Sequence, residues 1–219
     1  MDKIEGKKEP HVIRVYSPKG LQSAIDCAAQ CLRSGGLVAY PTETFYGLAV
    51  DATNEVAIRK LFFVKARQKD RPILVLIPSV KVLKHYVRYI PPIADQLMSA
   101  FWPGALTLVF EAGSTVSPLL TAGTGKIGVR LSSHPIATAL TRSIGVPISG
   151  TSANISGEPA CRNAENVLRI FVQGVDLILD GGETKGKIGS TILDVTADPP
   201  YILREGMIKK RQLEAFICA

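Results

Sequence analysis

Short apolar and β-branched runs punctuate the chain. They are LVAY (37–40), ILVLI (73–77), ALTLVF (105–110), IGVRL (127–131), VPIS (146–149), VDLILD (175–180), TILDVT (191–196) and YILRE (201–205). Each is too short for a helix and is bounded by turn residues, so each predicts a strand. Between many of them the period changes. In LQSAIDCAAQCLRSGG, Leu21, Ile25, Ala28 and Leu32 recur at three- and four-residue steps, and Gly35–Gly36 supplies a C-terminal stop. NEVAIRKLFFVKAR opens on the N-cap candidate Asn54. HPIATALTRSIG carries Pro135 in its first turn and ends on Gly145, and AENVLRIFV is a further helical candidate. Strands alternating with helices predict one α/β domain on a twisted, open, mixed sheet. The crowding of strands after residue 175 argues against a purely parallel sheet.

Composition narrows the class. The 219 residues are 46% apolar and 21% charged, as in ordinary globular proteins, and no apolar stretch nears the roughly 18–20 residues that span a bilayer. The polar start MDKIEGKKEPH has no secretory core, so residues 1–10 are expected to be a mobile lead-in to a domain over 11–219, in the cytoplasm. Cys27, Cys31, Cys161 and Cys218 form no CxxC pair, and His11, His85 and His134 are scattered, so no protein-held metal is expected. The net charge of +7 favours an anionic partner.

Two glycine-rich stretches resemble nucleotide motifs and fail on context. GTGKIG (123–128) has dinucleotide-fingerprint spacing but leads into a strand pattern. GGETKGKI (181–188) has P-loop spacing, yet Ile188 stands where Ser or Thr holds Mg²⁺, and no helix follows.

The stronger signal is a set of polar strand ends. PTETFYG (41–47) offers Thr42, Glu43 and Thr44; GTSANISG (150–157) offers Thr151, Ser152, Asn154 and Ser156; GSTILD (189–194) offers Ser190 and Thr191. Open α/β sheets place ligands at such ends. KARQKDRP (65–72) adds Lys65, Arg67, Lys69 and Arg71 where a helix runs out, which suits either a helix dipole or a phosphate. Arg130 and Arg204 lie within strand patterns, where a guanidinium needs an anion or a carboxylate. Cations, neutral hydrogen-bonders and no evident catalytic base suit phosphoryl or nucleotidyl transfer by positioning and charge neutralisation.

The series PTETFYGL, KARQKDRP, WPGALTLVF, TAGTGKIGVRLSSHP, SANISG, DGG, GST and LREG, in this order over roughly residues 12 to 206, resembles the YrdC family of threonylcarbamoyl-AMP synthases. The resemblance implies a YrdC-like twisted open sheet with helices on both faces and a large basic cavity. It implies synthesis of threonylcarbamoyl-AMP and pyrophosphate from L-threonine, bicarbonate or CO₂, and ATP, with Mg²⁺ accompanying ATP. A separate transferase complex would then modify ANN-reading tRNAs. By the same resemblance Lys65 and Arg67 are the catalytic pair on the phosphates, with Arg71, Ser152, Asn154 and Arg204 also at ATP; Thr44, Arg130 and Ser190 hold threonine. Two departures stand out: Leu76 occupies a position where the family often has histidine, and EPACRN after SANISG lacks the S-P-T of longer relatives. The length resembles the single-domain form. Other readings are an RNA-binding or ribosome-assembly protein using the same basic cavity, with weak affinity for RNA or tRNA, and a related carbamoyl-handling paralogue.

Overall fold

The computed structural model describes residues 9–17, 20–68 and 70–217. Most of the expected lead-in, together with Lys69 and Cys218, lies outside them. The first half comprises β1 (His11–Arg14), α1 (Leu21–Arg33), β2 (Val38–Pro41), β3 (Tyr46–Ala49), α2 (Glu55–Val64) and β4 (Val75–Leu76). A 3-10 turn (Val80–His85) leads to α3 (Pro92–Phe101), β5 (Leu106–Glu111), α4 (Pro118–Thr121), β6 (Lys126–Arg130) and α5 (Pro135–Ile144). The chain closes with β7 (Ile148–Ser149), β8 (Thr151–Ser152), α6 (Ala164–Ile170), β9 (Leu177–Asp180), β10 (Thr191–Asp194), β11 (Tyr201–Arg204) and α7 (Lys210–Ile217).

Helix ends follow the chemistry of their residues. Asn54 Oδ1 accepts from the amides of Val56 and Ala57 at 3.0 and 3.2 Å, satisfying two orphan donors of α2. Gly145 ends α5 in the left-handed region at φ 79°.

The expected single mixed sheet is instead two. One has the order β1-β9-β2-β3-β8 and the other β11-β10-β5-β6-β4-β7, each mixing parallel and antiparallel pairs. The break has a local cause. β3 pairs antiparallel with β8 through Gly47↔Ser152 and Leu48↔Thr151, and the same two chain segments meet again at Asp51↔Ile148. Between these pairings stands Gly150, whose amide donates to Leu74 O at 2.8 Å and turns the chain from one sheet to the other. A Cβ at Gly150 would come within 2.3 Å of Leu74 Cδ1, so a larger residue at this seam would require the Leu74 side chain to turn aside.

Alternation along the strands buries both faces of the first sheet. Val38, Tyr40, Leu177 and Leu179 pack with Ile25 and Leu32 of α1 and Leu140 of α5. Ala39, Leu48 and Ile178 point the other way, into a cluster with Leu61 of α2 and Val167 of α6. Tyr40 OH donates to Ser149 O at 3.1 Å, and Ser149 Oγ donates to Leu48 O at 2.8 Å, so buried polar bonds also cross the seam. No helix among the described residues is long and apolar enough to cross a membrane.

Candidate functional site

A cavity of about 680 Å³ opens at this seam. Thr42, Thr44 and Ser152 line it from the first sheet and its loops; Leu76, Arg130, Ser190 and Arg204 line it from the second.

The three residues expected to hold threonine share this cavity. Thr44, 5% exposed, sits in the β2–β3 connection with its Oγ1 2.9 Å from that of Thr42, which itself donates to Phe45 O at 2.7 Å. Ser190 Oγ lies 2.9 Å from Thr107 Oγ1 at the start of β10. Arg130, near-fully buried at the end of β6, has a carboxylate already. Its Nη2 lies 2.8 Å from Glu43 Oε1, and its Nε donates to the same oxygen at 3.2 Å. Ser132 Oγ donates to Glu43 Oε2 at 2.5 Å. Burial alone would raise the Glu43 pKa, but the Arg130 charge and the Ser132 hydroxyl outweigh it and hold the carboxylate below its ordinary value. Arg130 Nη2 is the point of interest: it is buried, within ion-pair distance of Glu43, and without a hydrogen-bond partner of good geometry.

The basic turn takes its shape from how α2 ends. Arg67 N donates to Phe62 O and Ala66 N to Phe63 O, both at 3.0 Å, which closes a Schellman motif. Ala66 takes the left-handed position at φ 47° without being glycine. This turn separates the two cations it flanks. Arg67 lines the cavity, its Nη2 donating to Pro72 O at 2.7 Å, and burial followed by the nearby Arg71 charge lowers its pKa. Lys65, 1% exposed, does not line the cavity. Its Nζ donates to Ser152 O at 2.5 Å, Asn154 O at 2.7 Å and Asn154 Oδ1 at 3.2 Å. Burial, then Arg67, pushes its pKa down to about 7, while the three oxygens favour the ammonium. Arg71 is exposed and away from the cavity wall.

Ser152 faces the cavity with its Oγ donating to Asn154 Oδ1 at 2.6 Å, whereas Asn154 turns into its own loop, its Nδ2 donating to Ile155 O and Glu158 O. Arg204 lies over Ser190, donating through Nη2 to its carbonyl at 2.8 Å. Burial, then the charge of Arg130, lowers the Arg204 pKa. Arg130 and Arg204 thus bring two guanidinium groups to one cavity, and Arg130 carries Glu43 as its counter-ion.

Both glycine-rich decoys are turns. GTGKIG leads into β6, and GGETKGKI connects β9 to β10 without a helix. The second loop still shapes the site, because a Cβ at Gly186 would come within 2.1 Å of Thr44 O. Sequence reasoning missed three partners. Glu43 was noted without its role as counter-ion to Arg130. Thr107, inside the apolar ALTLVF, was not singled out, although a hydroxyl in a buried strand is itself a signal. Asp194, inside TILDVT, accepts from Lys126 Nζ at 2.8 Å and lines the cavity beside it. Among the described residues no group of three or more His, Cys, Asp or Glu side chains is placed to hold a metal, and the cavity's carboxylate, Asp194, is engaged by Lys126, Thr196 and Tyr201.

Comparison with known proteins agrees in extent and direction. The Sua5_yciO_yrdC family model, described as Telomere recombination, matches residues 30–206. The chain is 39% identical over 193 residues to the threonylcarbamoyl-AMP synthase of Pyrococcus abyssi (strain GE5 / Orsay), covering 88% of this chain and 57% of that protein. The solved structure of P. abyssi Sua5 complexed with L-threonine superposes with a TM-score of 0.90 at 37% identity, over 96% of this chain and 61% of that one. E. coli YciO superposes with a TM-score of 0.84 at 26% identity, over 95% of this chain and 99% of that one. The chain therefore spans somewhat more than half the length of its P. abyssi relatives and nearly all of YciO.

Proposed function

The chain belongs to the Sua5/YciO/YrdC family, and on that premise we propose that it is a threonylcarbamoyl-AMP synthase acting in tRNA modification. The observation that carries the proposal is the convergence of Arg67, Arg130 and Arg204 with Thr44, Ser152 and Ser190 on one cavity. In this reading the set supplies positive charge and neutral hydrogen-bonders suited to a substrate pair with one carboxylate and a triphosphate. The P. abyssi relative complexed with L-threonine supports threonine as the amino acid.

In this reading Arg130 Nη2 receives the threonine carboxylate, while Glu43 holds the guanidinium in place. Thr44 and Ser190 orient the amino acid through their hydroxyls. The neutral threonine amine adds to CO₂, forming the N–C bond and giving up a proton, to leave a carbamate. A carbamate oxygen attacks the α-phosphorus of ATP in line, the bond from that phosphorus to the bridging oxygen breaks, and pyrophosphate departs. Mg²⁺ enters with ATP as part of the substrate. Arg67 and Arg204 neutralise charge on the phosphate oxygens, as transfer run by positioning requires. Ser152 orients the nucleotide. The product passes to a separate threonylcarbamoyl transferase complex.

The test is pyrophosphate release from ATP, Mg²⁺ and bicarbonate with and without L-threonine, followed by mass analysis for the mixed adenylate. Threonine-dependent release with that product is expected. Release driven by a different amino acid, or none, would overturn the assignment. Arg67→Ala is expected to lower kcat/KM for ATP by about 10²–10³-fold, the scale of losing one charged stabilising donor.

A further inference from the structure

We propose that Lys65 is a positioning residue rather than a phosphate ligand: its buried ammonium holds the Ser152–Ser156 loop in the shape that turns Ser152 toward the cavity. An ammonium has three protons to donate. In Lys65 all three have an acceptor, Ser152 O at 2.5 Å, Asn154 O at 2.7 Å and Asn154 Oδ1 at 3.2 Å. The main chain of the same residue adds a fourth tie, because Ser156 N donates to Lys65 O at 3.0 Å. The loop is therefore bound near both its ends to residue 65.

The arrangement also fixes polarity. Oδ1 of Asn154 accepts from Lys65 Nζ and from Ser152 Oγ, which commits the Asn154 amide to donating through Nδ2 to Ile155 O and Glu158 O. With its proton donated to Asn154, Ser152 Oγ has only lone pairs left for a further partner, and the residue lines the cavity. A contact between Lys65 and a phosphate would withdraw a proton from this set and strip Asn154 O of its ammonium donor, although Ser152 O would keep Asn154 N at 3.1 Å and Asn154 Oδ1 would keep Ser152 Oγ. Arg67, two residues on and past the left-handed Ala66, is the cation of this turn that reaches the cavity wall. The two cations thus divide the work: one builds the loop, the other meets the anion.

The assignment rests on the nucleotide reading for its ligand, while the loop geometry stands apart from it. Lys65→Met keeps the aliphatic stem and removes the ammonium. In the ligand-free variant, amide hydrogen exchange at Ala153, Asn154 and Ser156 is expected to quicken by about tenfold or more, with the core strands unchanged. Affinity for MgATP is expected to fall by about tenfold, the scale of losing one charged hydrogen bond. The salt dependence of that affinity should match wild type, because no cation facing the phosphates is lost; Arg67→Met should flatten it. Unchanged loop exchange with a flattened salt dependence would make Lys65 a direct phosphate ligand and overturn the proposal. Faster exchange with unchanged MgATP affinity would reduce it to a structural lysine and overturn the proposal equally.

A measurement on the wild-type protein guards against misfolding of the variant. Acylation of Lys65 by acetic anhydride should be slow with and without ATP; a lysine that ATP alone protects would refute the loop role. A wild-type protein that binds no ATP would defeat the functional reading, whereas the ligand-free exchange and acylation measurements would still decide the placement of Lys65.

Discussion

Ala66 pays for the geometry of the basic turn with a Cβ in the left-handed region, where an L side chain costs about 1–2 kcal/mol. Glycine there would remove that strain and give back part of the gain as unfolded-chain entropy. Ala66→Gly is therefore expected to raise stability by about 0.5–1 kcal/mol in urea denaturation. The Glu43–Arg130 pair sets a larger scale. Glu43→Gln leaves a buried guanidinium without its counter-charge and is expected to cost about 3 kcal/mol, read from the same denaturation curves. Its pH signature has a definite sign. The folded-state pKa of Glu43 lies below its ordinary 4.5, so its contribution is complete above about 4.5 and is lost as pH falls through the lower folded value. Wild type should lose stability over that acid window, and Glu43→Gln should lose less.

At the scale of elements, the loop from β9 to β10 shows how a turn can serve a site. Gly186→Ala would drive a Cβ into the Thr44 backbone, so the β2–β3 connection must shift. The expected outcome is a destabilisation of about 2 kcal/mol with a raised KM for threonine, measured in the pyrophosphate assay. Elements with a strong internal period were legible in the sequence. Each of the eight apolar runs contains a strand, and Asn54 and Gly145 bound their helices as their chemistry requires. What was illegible depended on partners distant in sequence. YGLA (46–49), which begins at the end of PTETFYG, is absent from the predicted strands, and forms β3 paired between β2 and β8. PIADQLMSAF and KRQLEAFI were passed over, and they form α3 and α7, which meet through Phe101 and Phe216 with ring centroids 5.4 Å apart. The candidate site shows the same division. Motif order brought Thr44, Arg67, Arg130, Ser152, Ser190 and Arg204 onto the list, and they share a cavity; the inward turn of Lys65 and the Glu43 counter-ion depend on folded geometry.

At the scale of the molecule, α7 separates stability from the site. Leu213 is fully buried, α7 packs on α3, and neither Leu213 nor Phe216 lines the cavity. Leu213→Ala is expected to cost about 2–4 kcal/mol by the cavity it leaves, with kcat/KM per folded molecule unchanged. The seam at Gly150 has a different reach. Because the cavity draws its walls from both sheets, a ligand seated there is a fastener between two halves of the core. Its binding free energy therefore enters the melting of the entire domain, adding RT ln(1 + [L]/Kd) to the unfolding free energy and raising the transition temperature without splitting the transition. A calorimeter can then rank candidate amino acids and nucleotides by the heat at which this protein comes apart.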